Sequence, residues 1–434
     1  MGTAGRSWGR YPVTRETVIQ LSNRASPLPR AHGPALPLGN ARSYGDSCLN
    51  DGGTLFATRA LDHFLAFDPA SGELTCEAGV LFSDILDLVV PQGWFIPVTP
   101  GTRFVTVGGA IGNDVHGKNH HRAGTFGHHV KAFELLRTDG SRMVCTPEEN
   151  REWFHATLGG LGLTGVITWA TLQLRRISGP WMSTESHRFG DLAAFFDLSS
   201  QSDEDYEYTV SWIDCAARGK SLGRGIFSRA NHAPASPDKR PHAPVRSRSM
   251  PFTPPLSLVN PLSLRAFNQL YYHRQRRRVD HSTSHYQPFF YPLDSLAHWN
   301  RMYGPKGFLQ YQCVVPPDNA HTTVQALIEA ISRSGGGSFL AVLKQFGELP
   351  SIGMLSFPRP GTTLALDFPN TGTATFSLLD RLDAIVDEAG GAVYPAKDAR
   401  MSGARFRRYF PRWEAFSRFI DPGLSSSFWR RVME

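Results

Sequence analysis

The stretch from Pro97 to Val130 carries the residue types best suited to cofactor chemistry in this chain. It is PVTPGTRFVTVGGAIGNDVHGKNHHRAGTFGHHV, and it holds seven glycines and five of the sixteen histidines. Because glycine lacks a Cβ, its backbone can adopt positive φ and lie directly against a ligand. The sequence therefore predicts a loop that wraps a flat or phosphorylated cofactor and offers polar side chains, such as that of His116, at close range.

The five histidines of this stretch also raise the question of a metal site. A metalloprotease-type site needs histidines four residues apart on a helix, and the glycines around His116 argue against a helix there. No carboxylate-rich motif accompanies the histidines. We therefore expect no metal at this place, and a metal-dependent hydrolase is kept only as a weaker alternative.

A second glycine-containing motif, PLGNARSYGD, occupies residues 37–46. Arg42 offers a planar guanidinium for phosphate, and Ser43 offers a hydroxyl. Gly39 and Gly45 allow backbone N–H groups to approach an anion. Such a motif alone is usually only a turn, and its value comes from its position upstream of residues 97–130.

The composition is that of a globular protein, with 41% apolar and 19% charged residues. A length of 434 residues suffices for two domains with sizeable cores. The net charge of +7 makes an anionic partner plausible. A phosphorylated substrate, an acidic membrane surface and a nucleic acid all satisfy that condition, as does a mildly basic protein without such a partner.

The cysteines and the hydropathy pattern bear on the compartment. The five cysteines are scattered and form no CxxC, which favours a reducing environment. No apolar run reaches the roughly 18 residues that a spanning helix needs, and the N-terminus lacks the apolar segment of a signal peptide. We expect a cytoplasmic or peripherally membrane-associated protein.

Hydrophobic periodicity predicts a mixture of helices and strands before residue 178. The strands are expected within residues 53–80, in a hairpin at 130–146 around the Asp139-Gly140 turn, and up to Leu174. No G-x-G-x-x-G fingerprint opens a βαβ unit, so an α+β nucleotide-binding domain is favoured over a doubly wound sheet. The helices are expected at Thr14–Leu21, Leu81–Val90 and Glu148–Leu158.

The pattern changes near residue 178, where we expect a domain boundary. Prolines interleaved with basic residues over 233–261, and the arginines at 274–278, predict a long mobile loop over 233–278. It could serve as a lid and contact anionic lipid, although a solvated basic helix end explains the arginines equally well. The elements expected around it are strands Tyr208–Ile213, Phe308–Val315 and Ser338–Leu343 and helices His321–Ile331 and Thr375–Glu388.

Several motifs, taken together, resemble the decaprenylphosphoryl-β-D-ribose 2-oxidases of the vanillyl-alcohol-oxidase (p-cresol methylhydroxylase-type) flavoprotein superfamily. Besides residues 97–130, they are ARSYGD at 41–46, GGLGLTGVIT at 159–168, YGPKGFLQYQ at 303–312, LDFP at 366–369 and AKDAR at 396–400. The resemblance implies an α+β fold with a p-cresol methylhydroxylase-type FAD-binding domain over residues 1–178. It further implies an inserted substrate-binding domain of antiparallel sheet plus helices over 179–390 and a segment, 391–434, that returns to the FAD domain.

The resemblance assigns FAD contacts to the two glycine-containing loops, the 159–168 turn and AKDAR. Relatives with covalent flavin attach it through a histidine at the position of Arg42, so we expect FAD to bind non-covalently. Ala41 replaces the second glycine of the usual Gly-x-Gly-Arg-Ser form, a change that alanine tolerates where φ is negative. The implied FAD-binding residues are Gly39, Ala41, Arg42, Ser43, Tyr44, Gly45, Pro100, Gly101, Thr102, Thr106, Gly108, Gly109, Ala110, Asn113, His116, Gly117, Asn119, Gly165, Ile167 and Lys397.

The same resemblance implies catalytic roles for His116, Lys397 and Tyr44, with Lys397 at the flavin pyrimidine edge. All three are candidates for the base that accepts the hydroxyl proton. Three positions depart from the family, since Phe290 replaces a tyrosine, Ala365 replaces a cysteine and Thr363 replaces an asparagine. The implied substrate-binding residues are Lys118, Gln310, Gln312, Lys344, Phe346, Thr363 and Ala365.

The implied activity is FAD-dependent oxidation of a sugar secondary alcohol to a ketone by hydride transfer to flavin N5. The best-matched substrate is the 2-hydroxyl of a polyprenylphosphoryl-β-D-ribose, and an NADH-dependent short-chain reductase partner would complete the epimerisation to arabinose. A soluble sugar, polyol or aldonolactone oxidase of the same superfamily is the first alternative. A basic nucleic-acid-binding protein is the second, and it is disfavoured because the charge is dispersed and no binding motif appears.

Overall fold

The computed structural model describes residues 5–234 and 248–434. Up to residue 176 it contains a parallel three-stranded sheet of order β1-β3-β2 and an antiparallel five-stranded sheet of order β4-β5-β9-β7-β8. The strands are β1 (Thr17–Gln20), β2 (Ala35–Leu38), β3 (Thr54–Ala57), β4 (Phe64–Asp68), β5 (Glu73–Glu77), β6 (Trp94–Phe95), β7 (Val130–Leu136), β8 (Arg142–Cys145), β9 (Val166–Gln173) and β10 (Arg175–Arg176). The helices are α1 (Phe82–Val89), α2 (Val107–Gly112), α3 (His120–Ala123) and α4 (Arg151–Thr157).

Most of the predicted elements of this part are confirmed. Helix α1 buries Ile85, Leu86 and Val89, which recur at helical spacing and pack in the same core as the five-stranded sheet. The hairpin β7–β8 and the strands within residues 53–80 are also present. Helix α4 begins three residues later than Glu148, because Asn150 has a left-handed conformation with φ of 50°.

Two predictions for this part are wrong. The helix expected at Thr14–Leu21 is the strand β1, which pairs in parallel with β3 because its Thr-Val-Ile run suits a sheet. Residues 97–130 are not a loop throughout, since they contain α2 and α3. The Thr106 hydroxyl caps α2 by accepting from the N–H of Gly109.

The rest of the chain is organised on an antiparallel eight-stranded sheet of order β15-β11-β13-β12-β18-β19-β17-β20. The strands are β11 (Trp181–Phe189), β12 (Tyr208–Ile213), β13 (Gly225–His232), β14 (Arg248–Ser249), β15 (Val279–His285), β16 (Leu296–Ala297), β17 (Phe308–Val315), β18 (Ala341–Phe346), β19 (Gly361–Pro369) and β20 (Ala392–Val393). The helices are α5 (Leu192–Ser200), α6 (Pro261–Arg274), α7 (Tyr286–Phe290), α8 (Ala320–Ser334), α9 (Thr373–Glu388), α10 (Gly403–Tyr409), α11 (Trp413–Ser417) and α12 (Ser427–Met433).

The predicted strands at 208–213 and 308–315 are confirmed, whereas the strand predicted at 338–343 begins at Ala341. The delay has a local cause, because the Ser338 hydroxyl accepts from the N–H of Leu340 in a turn. The helices predicted at 321–331 and 375–388 are each slightly longer than expected.

Alternation along strand β17 separates two environments. Leu309, Tyr311 and Cys313 point into the core that contains α8 and α9, whereas Gln310 and Gln312 line a cavity on the opposite face. This is the two-residue period of a strand whose two faces meet different surroundings. Strands β18 and β19 follow the same rule, so the sheet forms a polar floor beneath the cavity.

The range 233–278, predicted as a mobile loop, is only partly described. Residues 235–247 lie outside the described residues, and residues 261–274 form α6 rather than a loop. The helix begins there because the Asn260 side chain accepts from the N–H of Leu262 and Ser263 while Pro261 occupies the first helical position. Within the described ranges, no helix is long and apolar enough to cross a bilayer.

Candidate active site

A cavity of about 690 Å³ lies between the two glycine-containing loops, the polar floor of the eight-stranded sheet and the segment that contains Lys397. Its volume falls in the range of cofactor and substrate pockets, about 300–1,000 Å³. Most of the predicted site residues meet at this cavity. Those that line it are Gly39, Ala41, Arg42, Ser43, Tyr44, Pro100, Gly101, Thr102, Thr106, Gly108, Gly109, Asn113, His116, Gly117, Lys118, Gly165, Ile167, Gln310, Gln312, Lys344, Thr363, Ala365 and Lys397.

Four predicted site residues lie behind the cavity wall: Gly45, Ala110, Asn119 and Phe346. Ala110 is fully buried in α2 and faces the core. The amide of Asn119 donates to the carbonyl of Pro97 at 2.8 Å. The Phe346 ring packs edge-on against the imidazole of His116, with 4.9 Å between ring centroids.

The loop at residues 39–45 turns in a conformation that the sequence did not predict. Ala41 has φ of +49°, so the expectation of a negative φ there is wrong. The glycines on either side are required by close packing. A Cβ on Gly39 would lie 2.3 Å from the Thr106 hydroxyl, and one on Gly45 would lie 1.5 Å from the carbonyl oxygen of Asp398.

Arg42 presents a guanidinium whose hydrogen-bonding capacity is incompletely used. Its Cζ lies 4.1 Å from the ring centroid of Trp8, and its buried Nε finds no hydrogen-bond partner among the described residues. Burial lowers the pKa of this guanidinium, and the carboxylate of Asp294 opposes that effect. Trp8 was not identified as a site residue, because nothing near it in the sequence marks a cofactor loop.

The second loop offers bare backbone to the cavity. A Cβ on Gly101 would meet no atom within 4 Å, so any side chain there would occupy cavity space. Gly108 donates its N–H to the carbonyl of Ala78 at 2.8 Å, which holds α2 close to the five-stranded sheet. The Asn113 amide donates to the carbonyl of Gly109 at 2.8 Å and closes the helix.

His116 is buried at the junction of this loop and the sheet. The amide nitrogen of Gln312 lies 2.9 Å from Nε2 of His116 and donates to it, so the imidazole proton belongs on Nδ1. That Nδ1 has no hydrogen-bond partner among the described residues. Burial, together with the cations of Lys344 and Lys397, holds the pKa of His116 well below its ordinary value. The imidazole is therefore a neutral donor at Nδ1.

Two lysines converge on the cavity, Lys118 from the loop and Lys344 from β18. The ammonium of Lys118 donates to the carbonyl of Phe289 and lies 4.4 Å from the centroid of that ring. Lys344 donates to the carbonyl of Gly117 at 3.1 Å. Burial lowers the pKa of Lys118 to about 7, with a contribution from Lys344, whose own pKa burial lowers to about 8. Among the described residues, neither Lys118 nor Lys344 forms an ion pair with a carboxylate, and this arrangement suits a site that binds an anionic ligand.

Lys397 lies over the ring of Tyr44, with 3.9 Å between Nζ and the ring centroid. Burial lowers the pKa of Lys397 to about 7, against the opposing effect of the Asp367 carboxylate. Burial also raises the pKa of Asp367 to about 6. The carboxylate of Asp367 accepts from Gln310 at 2.8 Å and from the Tyr303 hydroxyl at 3.3 Å.

Strand register explains how these polar groups meet. Gln310 lies opposite Asp367, and Gln312 lies opposite Ala365, while Lys344 lies opposite Thr363. Asp367 was not assigned a role from the sequence, although the LDFP motif contained it. Asp367 lies two residues after Ala365 and four after Thr363 on one strand, so its side chain is expected on the same face of the sheet. That spacing could have placed it on the cavity floor.

Three other histidines of residues 97–130 contact backbone groups of the protein. Nδ1 of His120 accepts from the N–H of Gly347 at 3.1 Å, and Nε2 of His121 lies 2.9 Å from the carbonyl of Tyr206. Nε2 of His129 lies 3.0 Å from a backbone carbonyl of α3. Across residues 5–234 and 248–434, no three His, Cys, Asp or Glu side chains are grouped so that they could hold a metal ion.

Comparison with known proteins places the site in context. Residues 11–146 match the FAD binding domain family. The chain is 36% identical to decaprenylphosphoryl-β-D-ribose oxidase of Mycolicibacterium smegmatis, over 96% of this chain and 94% of the relative. It is 35% identical to an uncharacterized Streptomyces coelicolor protein in the mprA 5′ region, over 78% of this chain and 95% of that protein.

A more distant similarity concerns part of the chain. The chain is 30% identical to L-gulonolactone oxidase of Mus musculus, over 31% of this chain and 30% of that enzyme. The mixture of helices and antiparallel sheets around an FAD binding domain agrees with the predicted α+β fold. Because the similarity to the Mycolicibacterium enzyme extends over nearly the whole of both chains, this FAD-dependent oxidoreductase belongs to the decaprenylphosphoryl-β-D-ribose oxidase family.

Proposed function

We propose that this enzyme oxidises the 2-hydroxyl of a polyprenylphosphoryl-β-D-ribose to the ketone. The observation that carries the proposal is the 36% identity to the Mycolicibacterium oxidase, which extends over 94% of that protein. A cavity lined by three lysines supports it, since the substrate carries a phosphate. The domain division at residues 178 and 390, and a cytoplasmic or peripherally membrane-associated location, remain parts of the same proposal.

The cavity-lining residues fit FAD. The buried Nε of Arg42 lacks a partner among the described residues, and Gly101 leaves open space in front of its backbone. These two features suit a pyrophosphate and the chain that carries it. His116 and Lys397 would border the flavin ring, and bound FAD would supply the acceptor of the hydride. Arg42 offers no imidazole for a covalent link, so we propose that FAD is held non-covalently.

We assign the proton transfer to Lys397. A lysine with a pKa of about 7 is partly neutral near neutral pH. It could take the hydroxyl proton as the C=O bond forms and the carbinol hydrogen leaves with its bonding electrons as hydride. Burial raises the pKa of Tyr44 well above 10, so the proton cannot readily leave that phenol. Nε2 of His116 already accepts from Gln312. Lys118 and Lys344 would hold the phosphate, and the buried floor would keep water from the reacting carbon.

The test is anaerobic reduction of the purified holoenzyme. Acid precipitation should release all flavin to the supernatant, as expected for a non-covalent cofactor. A polyprenylphosphoryl ribose should then bleach the flavin band at about 450 nm, whereas free ribitol and L-gulono-1,4-lactone should not. Bleaching by the soluble compounds alone would replace this proposal with the polyol or aldonolactone oxidase alternative, which the partial similarity to L-gulonolactone oxidase favours.

We also propose a reductase partner. The product is a 2-keto sugar on a lipid carrier, and completing the epimerisation requires hydride delivery to that ketone by an NADH-dependent short-chain reductase. Support comes only from the substrate class of the related oxidase. Adding such a reductase with NADH to the reaction should convert the ribosyl lipid to the arabinosyl lipid, and accumulation of the ketone despite an active reductase would count against the pairing.

We propose that residues 248–278 contact an anionic membrane surface. Four large apolar side chains are mostly exposed there: Phe252, Leu256, Leu262 and Leu270, at 62%, 78%, 79% and 74%. The range contains six arginines and no acidic residue. Apolar side chains among cations match a bilayer with anionic headgroups. Tyr271 and Arg274 of α6 line the cavity, so this surface adjoins the site.

Sedimentation with vesicles tests the contact. The holoenzyme should bind vesicles of phosphatidylcholine mixed with phosphatidylglycerol, whose anionic headgroups attract basic segments, and should be released from them in high salt. The double variant Leu262→Ser/Leu270→Ser should lose most of this binding. Leu349→Ser, at an exposed leucine outside the range, is the matched control. Equal binding by both variants would contradict the proposal, as would equal binding to pure phosphatidylcholine.

A further inference from the structure

The loop that carries Tyr44 and the segment that carries Lys397 meet backbone to backbone. The N–H of Tyr44 donates to the carbonyl of Ala396 at 3.0 Å. A Cβ on Gly45 would lie only 1.5 Å from the carbonyl oxygen of Asp398. This junction sets the position of Lys397 Nζ over the Tyr44 ring.

Arg431 of the C-terminal helix α12 links the two segments of this junction. Arg431 donates through Nε and Nη2 to the two carboxylate oxygens of Asp46, at 2.9 and 2.7 Å. Its Nη2 also donates to Asp398 at 2.9 Å, and its Nη1 donates to the carbonyl of Met401. Asp46 follows Tyr44 closely in sequence and Asp398 adjoins Lys397, so one guanidinium holds both segments.

The burial of the carboxylates makes this contact energetically important. Asp46 is 3% exposed and Asp398 is 6% exposed. Burial raises the pKa of Asp46, and the neighbouring Asp398 adds to this, while Arg431 opposes both effects. Removing one partner of a buried ion pair leaves charge without compensation. Without Arg431 the two carboxylates would repel each other across the junction.

We infer that Arg431 is a positioning residue. Through Asp46 and Asp398 it fixes the position of Lys397 relative to the ring of Tyr44. None of these three charged side chains lines the cavity, so Arg431 acts on the reaction without touching substrate or cofactor. The inference rests on the proposed role of Lys397 for its effect on turnover, whereas its effect on the junction itself is independent of that role.

The neighbouring Arg430 provides a matched control. It lies on the same helix and donates to the side-chain oxygen of Asn50 at 2.7 Å and to the carbonyl of Asp51 at 2.9 Å. Arg430 therefore docks α12 on the loop at residues 50–51 with no contact to the Tyr44–Lys397 junction. Arg430→Gln and Arg431→Gln remove the same charge from the same helix.

The first measurement is amide hydrogen exchange at Tyr44 in the FAD-free protein. Arg431→Gln should accelerate this exchange at least tenfold, because the acceptor at Ala396 is no longer held in place, and Arg430→Gln should leave it unchanged. The second is steady-state kinetics of the holoenzyme together with the midpoint potential of its FAD. Arg431→Gln should lower kcat at least tenfold with KM within twofold and shift the potential, and Arg431→Lys should restore part of kcat.

The outcomes separate the inference from the proposed function. Equal effects of the two glutamine variants on Tyr44 exchange, or no effect of Arg431→Gln, would overturn the inference. If Arg431→Gln does not fold, Asp398→Asn retains the bidentate pair with Asp46 and should give the same accelerated exchange; unchanged exchange in that variant would also overturn it. Failure of the wild-type enzyme to oxidise the ribosyl lipid would refute the proposed function while leaving the exchange result interpretable.

Discussion

At the scale of single residues, the three cavity lysines define the electrostatics of the site. Lys118, Lys344 and Lys397 each have a pKa lowered by burial, and no carboxylate forms an ion pair with any of them among the described contacts. Such groups raise the free energy of the unliganded fold and become favourable when an anion enters. The three lysines therefore favour the binding of negatively charged ligands, and they lower the free energy of unfolding of the ligand-free protein by a measurable amount.

That cost predicts how stability depends on pH. Lys344 has a folded pKa of about 8, below the ordinary value of 10.5, so unfolding takes up a proton between these values and stability rises with pH. Lys344→Met should reduce this slope by roughly 1 kcal/mol per pH unit between about pH 8.5 and 9.5. Urea unfolding of the FAD-free protein over that range measures it. The exposed Lys131 provides the control, Lys131→Met, and identical slopes in all three proteins would contradict the prediction.

The left-handed Ala41 predicts a stabilising substitution. An alanine at φ of +49° carries strain of about 1–2 kcal/mol, partly offset by the greater unfolded-state entropy of glycine. Ala41→Gly should therefore increase the free energy of unfolding by up to about 1 kcal/mol, as measured by chemical denaturation. Ala266→Gly, at an exposed position within α6, should decrease it by about 1 kcal/mol. Effects of the same sign would show that Ala41 is not strained.

At the scale of elements, sequence predicts what depends on local pattern. Strands β12 and β17 were predicted at their bounds because alternating and β-branched residues suit only a sheet. Strand β1 was mistaken for a helix, because its short Thr-Val-Ile run is decided by pairing with β3, a contact that no local window contains. Helix α6 lies within the range predicted as a mobile loop, because the prolines before it dominate the local composition, whereas the alternative of a solvated basic helix end fits its last residue, Arg274.

The residues of the candidate site fall into the same two groups, those marked by local sequence pattern and those that only tertiary contacts bring to the site. Most of the residues predicted from the glycine-containing loops and the family motifs line the cavity, because glycine-rich backbone is a local signal for close approach to a ligand. Asp367 and Trp8 were not predicted as site residues, because only tertiary contacts bring them to the site. Asp367 contacts Gln310, and Trp8 contacts Arg42. The positive φ of Ala41 was likewise invisible, because it follows from how the loop closes against Thr106 and Asp398 rather than from its composition.

The two faces of β19 predict opposite consequences for neighbouring positions. Ala365 borders the cavity opposite Gln312, whereas Leu364 is 1% exposed in the core. Ala365→Leu should weaken substrate binding at least tenfold with little loss of stability, because the new side chain fills ligand space. Leu364→Ala should cost about 2–5 kcal/mol of stability and leave KM unchanged. Substrate titration and urea unfolding of both variants test this. Loss of stability in Ala365→Leu together with weaker substrate binding by Leu364→Ala would show that residue 364, and not residue 365, borders the cavity.

At the scale of the whole molecule, the cavity is the place where the glycine-containing loops, the eight-stranded sheet and the C-terminal segment meet. A ligand bound there bridges parts of the fold that are distant in sequence. Cofactor removal should therefore lower the cooperative stability of the entire protein rather than loosen one loop.

The expected size follows from mass action. FAD at 100 times its Kd should stabilise the fold by about 2.7 kcal/mol, so stripping it should lower the melting temperature, and adding it back should restore the original value. Calorimetry of the stripped and reconstituted proteins measures the change. Riboflavin lacks the pyrophosphate that Arg42 would contact and should restore little. A separate unfolding transition for residues 1–178 alone would show that the cavity does not couple the parts.

Helix α6 separates the cavity from the exposed surface, because Tyr271 and Arg274 line the cavity while Leu262 and Leu270 face outward. A polyprenyl chain gains about 0.8 kcal/mol per buried CH₂ in a bilayer, so its concentration in water is negligible. With the proposed membrane contact and lipid substrate, the enzyme would meet its substrate by lateral diffusion in two dimensions. Its turnover should then scale with the mole fraction of substrate in the surface and should fall when inert lipid is added at constant bulk concentration.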